Sequence, residues 1–96
     1  MKRLCMISYT YHEGLTAEDR REMVRMFAAG GEAPGVIAHY ERLDGRGGFI
    51  IQEELDGQDL EKDFEQTVAF SRFMGMDSYR ITTVEEAFPV FQRVYG

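Results

Sequence analysis

The sequence predicts an α+β domain of the ferredoxin-like type, with elements in the order β-α-β-β-α-β and a short C-terminal helix. Two β-prone runs, residues 36–43 and 49–55, lie on either side of Asp44-Gly45, a pair typical of tight hairpin turns. Helical patterns flank this hairpin, and strand-like runs lie outside the helices. This order predicts one four-stranded antiparallel sheet with two helices packed on the same face.

The first strand is predicted at residues 3–11, and both of its faces are apolar. A strand that is wetted on one side alternates more cleanly between apolar and polar residues. In this fold the helices cover only one face of the sheet, so a second copy of the chain is expected to cover the other. The two faces carry Cys5, Ile7, Tyr9 and Tyr11 on one side, and Leu4 and Met6 with Ser8 and Thr10 on the other.

Helix ends are marked by capping residues and glycines. Thr16 is the expected N-cap of a first helix that runs from Ala17 to about residue 29, where Gly30-Gly31 ends it. Asp59 is the expected cap of a second helix, which ends near Gly75. Since Pro89 fits best in a first helical turn, a short third helix or turn is expected to start between residues 85 and 89, after a fourth strand at 78–84.

The hairpin sequence also predicts which side chains share a face. If Asp44-Gly45 forms a type I′ turn with an even number of residues, Tyr40 and Phe49 lie on the more apolar face, which we expect to meet the helices. His39 and Gln52 then lie on the face away from the helices. A bulge at Gly47-Gly48 would reverse the parity of the third strand. The predicted apolar set is Val36, Ala38, Tyr40, Arg42, Phe49, Ile51, Glu53 and Leu55.

The chain has 96 residues, and we expect a single domain spanning 1–96. Domains of this size are often supplemented by disulfides, metals or a partner subunit. Cys5 is the only cysteine, which excludes an intrachain disulfide and favours a cytoplasmic location. No cluster of Cys and His offers metal ligands, so neither a metal nor another cofactor is expected. A homodimer is the supplement that the sequence favours.

The charge of the chain argues against nucleic acid as a partner. Seventeen acidic and eleven basic residues give a net charge of −6, whereas a phosphate-binding surface needs clustered Lys and Arg. The arginines of the first predicted helix alternate with Glu and Asp, as on a solvated helix face. No apolar run approaches the roughly 20 residues of a membrane span, so no membrane partner is expected.

His39 and Tyr40 are the candidates for catalysis, and Tyr9, His39, Gln52 and Tyr79 are the candidates for binding a ligand. A histidine can act as a general base near neutral pH, while tyrosines on a sheet can line a pocket and orient a polar group. Each has an ordinary structural alternative: a hydrogen-bonded histidine at a subunit interface, and core tyrosines with satisfied hydroxyls.

Several short motifs resemble a family of small bacterial proteins of unknown function in the dimeric α/β-barrel superfamily. They are Gly30-Gly31-Glu32-Ala33-Pro34-Gly35, the Gly-Gly-Phe-Ile-Ile-Gln-Glu run at 47–53, Phe70-Ser71 and Val84-Glu85-Glu86-Ala87. The resemblance covers residues 3–95. The chain departs from it at 74–77, which looks like a longer helix-to-strand connection, and at Phe70, where the family often has Trp.

The resemblance implies a homodimer in which two four-stranded sheets face each other. Relatives in that superfamily include cofactor-independent monooxygenases, muconolactone isomerases, polyketide cyclases and haem-degrading enzymes, so fold likeness alone assigns no chemistry. Two functions are open at this point. One is a dimer that binds a small apolar or aromatic metabolite or acts as an accessory protein. The other is a cofactor-independent enzyme of the monooxygenase, isomerase or cyclase type.

Overall fold

The chain folds into one antiparallel sheet and three helices, in the order expected from the sequence. The structure, a computed structural model, describes residues 1–96. The sheet order is β2-β3-β1-β4. A ferredoxin-like α+β fold is therefore confirmed. The elements are β1 (Leu4–Tyr11), α1 (Ala17–Gly30), β2 (Val36–Glu41), β3 (Gly47–Glu53), α2 (Leu60–Ser71), β4 (Met74–Ile81) and α3 (Val84–Tyr95).

Each helix begins at a side chain that satisfies a free backbone N–H. Thr16 and Asp19 form a reciprocal capping box at α1, and the Asp59 carboxylate accepts the Lys62 N–H at α2. Thr83 plays the same part at α3 by accepting the N–H of Glu86. Both caps that the sequence predicted, Thr16 and Asp59, are confirmed.

The boundary between α2 and β4 differs from the prediction. Helix α2 ends at Ser71 rather than near Gly75, and β4 begins at Met74 rather than at residue 78. The segment 74–77 is therefore strand, not a longer connection, because it pairs with β1 from Tyr11↔Met74 to Ser8↔Asp77. Phe73 and Met74 are buried at this junction, and their burial favours an early end of α2 over a helix that continues to Gly75.

The β2–β3 turn is not of type I′. The turn is closed by the Gly45 N–H, which donates to the Arg42 carbonyl at 3.0 Å, and by the Arg42 N–H, which donates to the Gly47 carbonyl at 2.8 Å. Gly45 has a φ of 72°, but Asp44 does not have a positive φ, as type I′ would require. Instead, the Asp44 carboxylate accepts the N–H of Arg46, which lowers the pKa of Asp44 below its ordinary value.

The side of the sheet on which His39 lies also differs from the prediction. Tyr40 and Phe49 share a face as expected, but His39 points toward the helices, with its ring 6.0 Å from that of Phe27 in α1. Both faces of the sheet are apolar, so the hydrophobic pattern does not identify the face on which the helices pack. The preferred right-handed crossover of the β-α-β units determines that face instead. We call the side under α1 and α2 the helix face. The open face carries Leu4, Met6, Ala38, Tyr40, Phe49, Ile51, Tyr79 and Ile81.

Helix α3 is longer than predicted and has an uncovered apolar stripe. It runs for 12 residues, and Pro89 lies inside it rather than in its first turn. Pro89 has no N–H to donate to the Glu85 carbonyl four residues earlier. The cap at Thr83 and the apolar residues spaced three and four apart favour the helix despite this loss. The exposed apolar side chains of the stripe are Val84, Phe88, Phe91, Val94 and Tyr95.

Little of the chain is fully buried. Tyr9, Phe73 and Met74 form a small cluster of buried apolar residues, with partly buried side chains of α1, α2 and the sheet around it. The open face is uncovered, and the space beneath the helices is only partly filled. No helix combines the length and the apolar character that crossing a membrane requires.

Candidate functional site

A cavity of about 700 Å³ lies between α1, α2 and the helix face of the sheet. Of its 22 lining residues 13 are hydrophobic, so most of the wall is apolar. Met23 and Phe27 line it from α1 and Phe70 from α2, while Ile7 and Ile50 form part of the floor. The spacing of four between Met23 and Phe27 places both on one face of α1, directed at the sheet.

Polar side chains converge at one end of this cavity. The Tyr9 hydroxyl donates to Oε1 of Glu41 and lies 2.6 Å from Nε2 of His39. On its other side, Nδ1 of His39 lies 2.6 Å from Oε1 of Glu32, in the loop between α1 and β2. The Tyr11 hydroxyl donates to the same Glu41 oxygen at 2.7 Å. We call Tyr9, Tyr11, Glu32, His39 and Glu41 the polar cluster.

Strand pairing explains why these side chains meet. Tyr9 is paired with Gly48 of β3, and Gly48 is paired in turn with Glu41 of β2. A Cβ at position 48 would lie 2.6 Å from the Tyr9 hydroxyl oxygen, and it would also meet the Tyr40 carbonyl oxygen. Glycine at position 48 therefore leaves the space through which the Tyr9 side chain reaches across β3 to β2.

Four contacts join the five side chains of the polar cluster. Glu41 accepts both tyrosine hydroxyls, and the His39 ring lies between the Tyr9 hydroxyl and the Glu32 carboxylate. The contacts therefore form one continuous hydrogen-bonded chain from Tyr11 to Glu32.

Both tyrosines of the polar cluster are weaker acids than ordinary tyrosine. Burial, followed by the hydrogen bond to Glu41 and its charge, raises the pKa of Tyr9 well above the ordinary value of 10. The same causes raise the pKa of Tyr11 to about 12. Both hydroxyls therefore stay protonated at neutral pH and act as donors to the Glu41 carboxylate.

The structure divides the residues that the sequence proposed for binding and catalysis. Tyr9, His39 and Gln52 line the cavity, and the Gln52 side chain donates to the Pro34 carbonyl at 3.0 Å. Tyr40 and Tyr79 instead lie on the open face, where both are more than half exposed. The structure thus brings together three of the five residues, and their roles stay a prediction.

Three members of the polar cluster were not proposed as site residues. Tyr11 and Glu41 each lie two positions after a proposed residue, Tyr9 and His39, in the same strand. Because alternate residues of a strand share a face, the sequence already indicated that Tyr11 and Glu41 could lie beside these proposed residues. Glu32 lies in a loop, and no sequence pattern indicates that it contacts His39.

The fold and the cavity define the protein as a ferredoxin-like α+β protein with an apolar site between its helices and sheet. Residues 4–95 match a family that is described as a domain of unknown function, DUF3303, and the chain belongs to that family. No curated protein matches the chain.

The raised tyrosine pKa values predict a loss of stability in alkali. The folded chain keeps the Tyr11 proton up to about pH 12, whereas the unfolded chain releases it from about pH 10. This contribution to stability is therefore complete below pH 10 and is lost as pH rises toward 12. Thermal unfolding across this range should show a steeper fall for the wild type than for Tyr9→Phe/Tyr11→Phe. Equal slopes of melting temperature against pH in the two proteins would show that these tyrosines do not cause the loss.

Proposed function

We propose that this protein binds a small, largely apolar or aromatic molecule in the cavity between its helices and sheet. The observation that carries the proposal is a cavity of about 700 Å³ with polar groups at one end. Ligand sites are commonly clefts of about 300–1,000 Å³ with apolar walls and a few polar groups that fix orientation. Both the size and the distribution of polarity fit this description.

The side chains suggest how such a molecule would lie. Its apolar part would rest between Phe27 and Phe70 above and Ile50 below, where dispersion and burial stabilise it. A polar substituent would reach the polar cluster, where Tyr9 and His39 already have fixed hydrogen-bond partners. Side chains that are held in place before binding lose less conformational entropy when the ligand arrives.

N-phenyl-1-naphthylamine, an uncharged aromatic probe whose fluorescence rises in apolar sites, tests the proposal. We expect saturable binding to the wild type. Ile50→Trp places an indole in the cavity and should weaken binding by about tenfold or more, which corresponds to ~1.4 kcal/mol. Ile37→Trp adds the same ring at an exposed position outside the cavity and should leave binding unchanged. Absence of saturable binding to the wild type would refute the proposal.

We further propose that the protein is a homodimer whose open faces meet. The rings of Tyr40 and Phe49 pack in a tilted arrangement with centroids 5.3 Å apart, yet Tyr40 is 58% exposed in the isolated chain. An exposed apolar surface of this kind is typical of an interface between proteins. The resemblance to the dimeric α/β-barrel superfamily supports the same arrangement, with two sheets facing each other. The apolar stripe of α3 is a second surface that a partner subunit could cover.

Light scattering at micromolar concentration tests the dimer. The expected mass is twice the 11.1 kDa of the chain. Phe49→Arg would place a charge on the open face and should shift the protein toward the monomer, since an unpaired buried charge opposes association. Glu65→Arg also introduces an arginine, but on an exposed position of α2, and should leave the mass unchanged. A stable wild-type monomer would contradict the interface.

A second candidate function is proton transfer in the same cavity, without a cofactor. The observation that favours it is the polar cluster, in which the His39 imidazole lies between the Glu32 carboxylate and the Tyr9 hydroxyl at the end of the cavity. Isomerases and cyclases need a group that accepts a proton from carbon and donors that stabilise the resulting oxyanion. In this proposal the His39 imidazole would accept the proton, and the Tyr9 hydroxyl would donate to the oxyanion.

Deuterium exchange separates binding from catalysis. The probe is 1-indanone, an apolar bicyclic ketone with acidic hydrogens next to its carbonyl, incubated with the protein in deuterated buffer and followed by proton NMR. If the polar cluster transfers protons, His39→Ala should slow the protein-dependent exchange by about tenfold or more. His12→Ala should not, because that imidazole contacts the Ser71 carbonyl, away from the cavity lining. If the protein does not accelerate the exchange, proton transfer is refuted and only the binding proposal stands.

A further inference from the structure

The cavity of the proposed binding site has an acidic lining. Three carboxylates belong to it, from Glu32, Glu41 and Asp63, whereas no Lys or Arg does. His39 is its only basic side chain. Because three carboxylates outnumber one imidazole, the lining is negative in both charge states of His39.

None of the three carboxylates is neutralised by an arginine or lysine at the cavity. Glu32 contacts the His39 imidazole, Glu41 accepts two tyrosine hydroxyls, and Asp63 accepts the amide of Gln58. The guanidinium of Arg20 lies over the Tyr11 ring at 5.9 Å from its centroid, outside the cavity lining. The negative charge is therefore available to a ligand.

The helix dipole adds to this field independently of the side chains. Three of the four α1 residues that line the cavity, Val24, Phe27 and Ala28, belong to the second half of the helix, and the lining continues into Gly31 and Glu32. The carbonyl end of a helix carries a partial negative charge that favours cations. The last turn of α1 contains no basic residue that would offset it.

We infer that the cavity excludes anionic ligands and takes an apolar molecule that is uncharged or, preferably, carries an amine. This inference rests on the proposed binding function and names the class of ligand. A carboxylate or phosphate would bring like charge close to the three carboxylates of the lining. An ammonium group would donate to Glu41 or Glu32 and would also lie close to the aromatic faces of Phe27 and the tyrosines.

Three probes with the same ring system test the inference by displacement of N-phenyl-1-naphthylamine. They are 1-naphthylmethylamine, 1-naphthylmethanol and 1-naphthoate, which are cationic, neutral and anionic at neutral pH. We expect the amine to bind at least about tenfold tighter than the naphthoate, with the alcohol between them. Added salt should reduce this ratio, because it screens the charge of the lining.

Matched variants identify the source of the selectivity. Glu32→Gln/Glu41→Gln/Asp63→Asn keeps the side-chain shapes and should bring the ratio of amine to naphthoate binding close to one. Glu65→Gln removes a carboxylate from α2 outside the cavity and should keep the wild-type ratio. If the triple variant does not fold, the salt dependence of the wild type carries the test.

The outcomes distinguish this inference from the proposed function. A wild type that binds none of the aromatic probes would refute the binding site itself. A wild type that binds N-phenyl-1-naphthylamine and is displaced equally well by all three naphthalenes, or best by naphthoate, would overturn the charge preference alone. Selectivity that does not respond to salt would likewise overturn it.

Discussion

The hydroxyl of Tyr9 is the group on which the arrangement of the site depends. Tyr9 is 4% exposed, and a buried hydroxyl without a partner costs roughly 1–3 kcal/mol. Its partners, His39 and Glu41, both belong to β2, the strand beyond β3. Satisfying the hydroxyl therefore fixes the register of three strands and requires glycine at position 48. The same bonds that complete the core hold the polar end of the cavity in place.

An unfilled cavity and a small core oppose stability, and the fold has few means to compensate. Only five of 96 residues are buried, whereas a chain of this length already gains less from burial than a larger domain. Leaving about 700 Å³ open under the helices gives up further packing. A partner on the open face would add apolar burial without filling the cavity. In the proposed dimer, burial of the open face would offset part of the packing that is lost at the cavity.

The sequence predicted the features that depend on local chemistry. Thr16 and Asp59 begin helices as expected, and the alternation of β1 placed Ile7, Tyr9 and Tyr11 together. Features decided by long-range pairing were missed. The pairing with β1 draws residues 74–77 into β4, and the direction of the crossovers turns His39 toward the helices although its face is the less apolar one. The contact of Glu32 with His39 depends on the conformation of the loop between α1 and β2, and no sequence periodicity predicts that conformation.

Glu41 has two effects on the site, since it satisfies the tyrosine hydroxyls and also brings negative charge to the cavity. Its carboxylate accepts the hydroxyls of both Tyr9 and Tyr11 and so gives each buried or half-buried hydroxyl a partner. Burial, together with the hydrogen bond to this carboxylate and its charge, raises the pKa of both tyrosines above the ordinary value. A neutral residue at this position would leave the tyrosines without a strong acceptor, while a basic one would reduce the negative charge of the lining, to which Glu32 and Asp63 also contribute. The requirement that the Tyr9 hydroxyl be satisfied in the core thus places a negative charge at the point where a ligand's polar group would lie.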